Sequence, residues 1–131
     1  MDKQTTVLVV EDEEHIRSVL DYNLRLDGFD VQLAPDGPAA LELVSRHRPD
    51  LVLLDWMMPG MDGLEVLAKL KAAPATADIP VFMLTAKGML TEVERAMKAG
   101  VDDYITKPFD PIHLGKIITR KLDEHAKVES K

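Results

Sequence analysis

Apolar residues along this chain follow two rhythms that take turns. Thr6-Val7-Leu8-Val9-Val10 is a short run of β-favouring residues, after which Ile16, Val19, Leu20 and Leu24 recur at helical spacing. Gly28 stands where that helix should stop. The alternation then repeats. Val31–Ala34 reads as a second strand, Pro35-Asp36-Gly37 as a turn, and Ala40, Leu41 and Val44 as the face of a second helix closed by Arg48-Pro49. Leu51-Val52-Leu53-Leu54 is apolar without a break, as expected of a strand covered on both faces. The chain turns at Met57-Met58-Pro59-Gly60, and Leu64, Leu67 and Leu70 stripe a third helix that stops before Pro74. Val81-Phe82-Met83-Leu84 is a fourth strand, and a weaker helix from about Leu90 to Ala99 ends at Gly100. Tyr104-Ile105-Thr106 is a fifth strand, and Leu114, Ile118 and Leu122 mark the last helix.

Five strands alternating with five helices predict an α/β fold: a parallel sheet with helices on both faces. Right-handed crossovers leave few ways to wind it. The expected result is a flavodoxin-like (βα)5 three-layer sandwich with strand order 2-1-3-4-5. One domain over residues 1–125 accounts for the pattern, and 126–131 read as a flexible C-terminal tail.

Composition narrows the picture. A hydrophobic fraction of 46% supports a core without staples, and the absence of cysteine excludes disulfides, thiolate metal sites and thiol catalysis. That usage suits the cytoplasm. No apolar run approaches the ~20 residues of a membrane span, and Met1–Thr6 is too polar for a signal peptide, so no membrane role is expected. A net charge of −7 disfavours direct nucleic-acid binding. His15, His47, His113 and His125 lack paired ligand spacing.

The chemistry follows from where the strands end. Ligands of such sheets collect at the carboxyl ends of the strands, where the winding direction reverses. With the expected order, strands one and three flank that point, and they end in Glu11-Asp12 and Asp55. Three carboxylates meeting there repel one another, and a hard divalent cation such as Mg²⁺, with Mn²⁺ as a substitute, relieves the repulsion. A competing reading makes Asp12 a helix N-cap, with Glu13 and Glu14 favoured by the helix dipole. Strand four ends in Thr85-Ala86 and strand five in Lys107-Pro108, a hydroxyl and an ammonium suited to phosphoryl oxygens. Asp55 is then a candidate nucleophile forming an aspartyl-phosphate, with Lys107 and Thr85 holding the remaining oxygens. A carboxylate is already ionised at neutral pH, so no general base is needed.

Glu11-Asp12, Leu54-Asp55 with Met58-Pro59-Gly60-Met61-Asp62-Gly63, Leu84-Thr85-Ala86, and Asp103-Tyr104 through Lys107-Pro108-Phe109 together resemble the receiver domains of two-component response regulators. The resemblance runs from about Thr6 to Leu122 and is nearest to receivers of DNA-binding regulators, here without the DNA-binding domain. It implies that Asp55 is the phosphoacceptor, Asp12 a direct metal ligand, Glu11 a ligand acting through water, and Met57 a ligand through its backbone carbonyl. It further implies that Lys107 binds phosphate, that the bond to Pro108 is cis, and that Thr85 and Tyr104 form a switch pair. The implied partners are a sensor histidine kinase or phosphotransfer protein, which donates from a phosphohistidine, and a downstream protein target. The surface expected to change is that of helix 4, strand 5 and helix 5. Such a chain is a phosphoacceptor switch rather than an enzyme.

Departures from the pattern also count. Met57 and Lys87 occupy variable positions beside the site and are expected to affect the lifetime of the phosphoryl group. Relatives that pair as charged dimers carry a glutamate and an arginine on the last helix where this chain has His113 and Ile117. Ile117 reads either as apolar area for another partner or as an isolated exposed residue. Among rival functions, an aspartate-nucleophile phosphatase of the haloacid dehalogenase-like class wants an acid at the position of Met57. A nucleotide-binding module lacks its glycine fingerprints. A receiver used only for docking has no need of the full polar set.

Overall fold

The two rhythms become a five-stranded parallel sheet in the computed structural model, which describes residues 4–58, 60–86 and 90–129. Strands β1 (Thr6–Val10), β2 (Asp30–Ala34), β3 (Leu51–Asp55), β4 (Val81–Ala86) and β5 (Asp103–Lys107) alternate with helices along the chain. The helices are α1 (Glu14–Leu26), α2 (Gly37–Arg46), α3 (Gly63–Ala72), α4 (Leu90–Lys98) and α5 (Pro111–Glu129). The strand order is β2-β1-β3-β4-β5 and every neighbouring pair is parallel, as the alternation predicts. The chain therefore begins in the sheet, winds outward to β2, then crosses back over β1 to β3. That reversal opens a crevice above the carboxyl ends of β1 and β3.

Strand periodicity splits the core in two. Leu8, Val10, Val52, Leu54 and Met83 point to one face and pack with Ala40 and Val44 of α2, Val66, Leu67 and Leu70 of α3, and Ala96 of α4. Val7, Val9, Leu51, Leu53, Phe82 and Leu84 point to the other and pack with Leu20 and Leu24 of α1 and Leu114 and Ile118 of α5. Each large side chain so buried contributes roughly 1.5–3 kcal/mol. The central strands, closed on both faces, hold the crevice above them on a rigid base.

Helix starts follow local chemistry. Asp36 caps α2 by accepting from Ala39 N–H at 2.8 Å, and Asp62 caps α3 by accepting from Glu65 N–H at 3.0 Å. The capping alternative for Asp12 fails, because the N-cap of α1 is Glu13 and no side chain caps it. Asp12 is thereby left for other chemistry.

Helix α5 continues through Glu129, into the residues 126–131 read from the sequence as a tail. Lys121 and His125, which meet Asp103 at 3.0 and 3.2 Å, tie the far half of that helix to the start of β5. Ile117 is neither isolated nor exposed; it is partly buried against the α1/α5 core. The exposed isoleucine of α5 is Ile112 instead. His113 is exposed and meets Asp110 at 3.2 Å. Lys87 and Pro59 lie outside the described residues.

Candidate functional site

Glu11 follows directly on β1, with its backbone N–H donating to Ala34 C=O at the end of β2 at 3.1 Å. Asp55 is the last residue of β3, in register with Leu84 of β4. Strand geometry alone therefore brings the two carboxylates to one end of the sheet. Asp12, one residue on, joins them: one carboxylate oxygen from each of Glu11, Asp12 and Asp55 lies within 4.8 Å of the others. Glu11 and Asp55 are buried, whereas Asp12 is exposed at the mouth.

Buried like charges at that distance are costly unless something neutral or positive intervenes. Lys107, closing β5, donates from Nζ to Asp55 Oδ1 at 2.9 Å and offsets part of the charge. It does not serve Glu11, whose Oε2 is buried without a hydrogen-bond partner among the described residues. Burial, with a side-chain hydrogen bond and charge repulsion from Asp55, pushes the Glu11 carboxyl up to about 8, with Lys107 working in the opposite direction. A hard divalent cation would offset the charge more completely, since its two positive charges together with that of Lys107 would balance the three carboxylates. The donor set is all oxygen and partly open to solvent, which fits Mg²⁺ better than a softer metal.

The other residues singled out from sequence surround this cluster. Thr85 lies on β4 one residue beyond the partner of Asp55 and is buried. Tyr104 of β5 is exposed, on the opposite face of the strand from Ile105. The Met57 side chain stands out in solvent beside the site, while Trp56 and Met58 are buried. Gly63 allows α3 to start against β3: a Cβ there would sit 2.6 Å from the Asp55 carbonyl oxygen. Lys107-Pro108 is a cis bond, as the resemblance implied. Arg17 of α1, which drew no attention in the sequence, donates to the Glu11 carbonyl at 2.8 Å and to the Asp12 carbonyl at 3.3 Å. Backbone acceptors have no signature in a sequence, so nothing there could have singled it out.

Known proteins match this architecture. Residues 7–119 match the response regulator receiver domain family. The chain is 42% identical over 109 residues to the phosphate regulon transcriptional regulatory protein PhoB of Pseudomonas aeruginosa, covering 83% of this chain and 48% of that protein. It is 45% identical over 108 residues to PhoB of Escherichia coli, covering 82% of this chain and 47% of that protein. The chain thus spans about half the length of these curated relatives. Among solved structures, the chemotaxis protein CheY4 of Vibrio cholerae superposes with a TM-score of 0.84 at 29% identity, covering 90% of this chain and 98% of that one. The receiver domain of NtrX from Brucella abortus superposes with a TM-score of 0.80 at 32% identity, covering 89% and 98%. Sheet order, acidic crevice and sequence agree, and the chain belongs to the response regulator receiver domain family, whose members act as phosphoacceptor switches rather than as turnover enzymes.

Proposed function

We propose that this chain takes a phosphoryl group from a phosphohistidine of a sensor histidine kinase or phosphotransfer protein onto Asp55, in a step that depends on Mg²⁺ or Mn²⁺. The observation that carries the reading is the convergence of Glu11, Asp12 and Asp55, with Lys107 Nζ on Asp55 Oδ1. In this reading Asp12 and Asp55 would hold the cation directly, Glu11 would act mainly through water, and Met57 would contribute its backbone carbonyl. When bound, the cation supplies charge neutralisation for the phosphoryl oxygens.

The protein groups do the rest by position. Asp55 Oδ attacks phosphorus, the P–N bond to the donor histidine breaks, and the histidine keeps the electron pair. Lys107 exchanges its bond to Asp55 for one to a phosphoryl oxygen, and the Thr85 hydroxyl donates to another. Thr85 moving toward the phosphoryl group leaves space behind it, and the exposed Tyr104 ring swings inward. Contacts made only in the phosphorylated form bias a two-state equilibrium, and the surface of α4, β5 and α5 carries the change to a downstream protein target. An apolar groove of about 380 Å³ beside Lys107, lined by His15, Ile16, Val19 and Phe109 among others, supports docking of the donor protein here. The proposal sets this chemistry in the cytoplasm, with neither nucleic acid nor membrane as a direct partner of the chain. Among the described residues no helix is long and apolar enough to cross a membrane.

The test is incubation with Mg²⁺ and acetyl phosphate followed by intact mass measurement. One added phosphoryl group is expected, and none in Asp55→Asn or in excess chelator. Labelling of Asp55→Asn at the wild-type rate refutes the assignment.

A further inference from the structure

Arg17 sits on α1, half-buried, with its side chain turned back against the loop that leaves β1. Its Nη1 donates to two backbone carbonyls, those of Glu11 at 2.8 Å and Asp12 at 3.3 Å. These belong to the two residues whose carboxylates, with Asp55, make the acidic cluster. The Glu11 main chain is thus fixed on both sides, its N–H by Ala34 C=O and its C=O by Arg17. The loop has no side-chain cap from Glu13 to fix it otherwise. From this geometry we infer that Arg17 is a positioning residue for the divalent-cation site: it sets the loop so that Glu11 and Asp12 present their carboxylates to Asp55. The inference rests on the metal reading given above.

Two effects of Arg17 on a bound cation have opposite signs, which makes the role testable. Its positive charge repels a divalent ion, so deleting that charge alone tightens binding. Its hydrogen bonds hold the ligands in place, so deleting them alone weakens binding, as loss of outer-shell partners of metal ligands does by 10- to 100-fold. A guanidinium bridging both carbonyls of the ligand loop makes the second effect the larger one. Arg17→Met should raise half-saturating Mg²⁺ about tenfold, at the lower end of that range. Arg17→Lys, which keeps the charge and one donor, should fall between Arg17→Met and wild type.

The experiment is calorimetric titration of Mg²⁺ into wild type and the two variants, with fluorescence of buried Trp56, next to Asp55, as an independent readout. Acetyl-phosphate labelling of Arg17→Met should reach the wild-type rate at saturating Mg²⁺, a defect of affinity and not of chemistry. Thermal melts with and without Mg²⁺ identify a merely structural role, which lowers both midpoints equally and leaves half-saturation unchanged. Arg17→Gln, a shorter neutral donor, stands in if Arg17→Met does not fold. Unchanged or tighter Mg²⁺ binding by the neutral variant overturns the inference while leaving the metal reading intact. Wild type that takes up no Mg²⁺ removes the metal reading and this role with it.

Discussion

Glu11 is where charge and burial conflict most directly. Its carboxyl is pushed up to about 8 by burial and by Asp55, so at pH 7 the metal-free protein holds a proton there that a free glutamate would have lost. Binding a cation between the carboxylates requires that proton to leave. Mg²⁺ affinity should therefore rise with pH through the neutral range and level off above about 8. Titrations at pH 6.5 and 8.5 check this, as does proton release measured in buffers of different ionisation enthalpy. Glu11→Gln should bind Mg²⁺ more weakly and lose the pH dependence. The positions of Glu11, Asp55 and Lys107 were legible in the sequence because strand order decides which strand ends meet. The orphaned oxygen of Glu11 was not, since it depends on side-chain packing that no spacing of letters encodes.

Whole elements were legible to different degrees for similar reasons. Strands β1 and β3 and the stripes of α1, α3 and α5 declare themselves because their periodicity reflects burial. Element ends depend on contacts that are local in space but distant in sequence. Helix α5 runs on to Glu129 although its apolar stripe ends at Leu122, and Asp103, 18 and 22 positions before Lys121 and His125, holds both. A similar long-range tie joins α3 to β4 and β5 at the end of the sheet away from the acidic crevice. Lys71 Nζ donates to the carbonyls of Ala77 and Ile79 at 3.1 and 2.9 Å and to Asp102 Oδ2 at 2.9 Å. The same oxygen accepts from Val81 N–H at 2.8 Å. Asp102→Ala leaves the ammonium with two partners of three and the Val81 donor with none. It should cost about 1–3 kcal/mol. Urea denaturation measures that loss, and Mg²⁺ binding by the folded fraction should be unchanged because the tie and the crevice lie at opposite ends.

Across the molecule, the two ends of the sheet serve different purposes. At the far end Asp102 pairs with Lys71 and with Val81 N–H, whereas the crevice end keeps Glu11 and Asp55 buried together, with one oxygen of Glu11 unpartnered among the described residues. Such an arrangement lowers the stability of the domain in the absence of a cation. The pH dependence follows by linkage. Below about 4.5, the ordinary value for Glu11, the residue is protonated both folded and unfolded and contributes no difference. Between there and about 8 the unfolded chain gives up the proton while the folded one keeps it, so stability falls as pH rises. Above that range Glu11 is ionised in both states and its destabilising effect is complete. Replacing it by a neutral isostere should therefore stabilise the protein. In the absence of Mg²⁺, Glu11→Gln should raise the unfolding free energy by on the order of 2 kcal/mol at pH 8.5, well below the full shift because burial, Asp55 and the opposing Lys107 act on it together. Near pH 4 the variant and wild type should melt together. Saturating Mg²⁺ should reverse the order at high pH, because it stabilises wild type by mass action and the variant less. A Glu11→Gln protein less stable than wild type at pH 8.5 without Mg²⁺ would mean that the buried carboxylate is already well solvated or paired. The site would then have no vacancy that favours a cation.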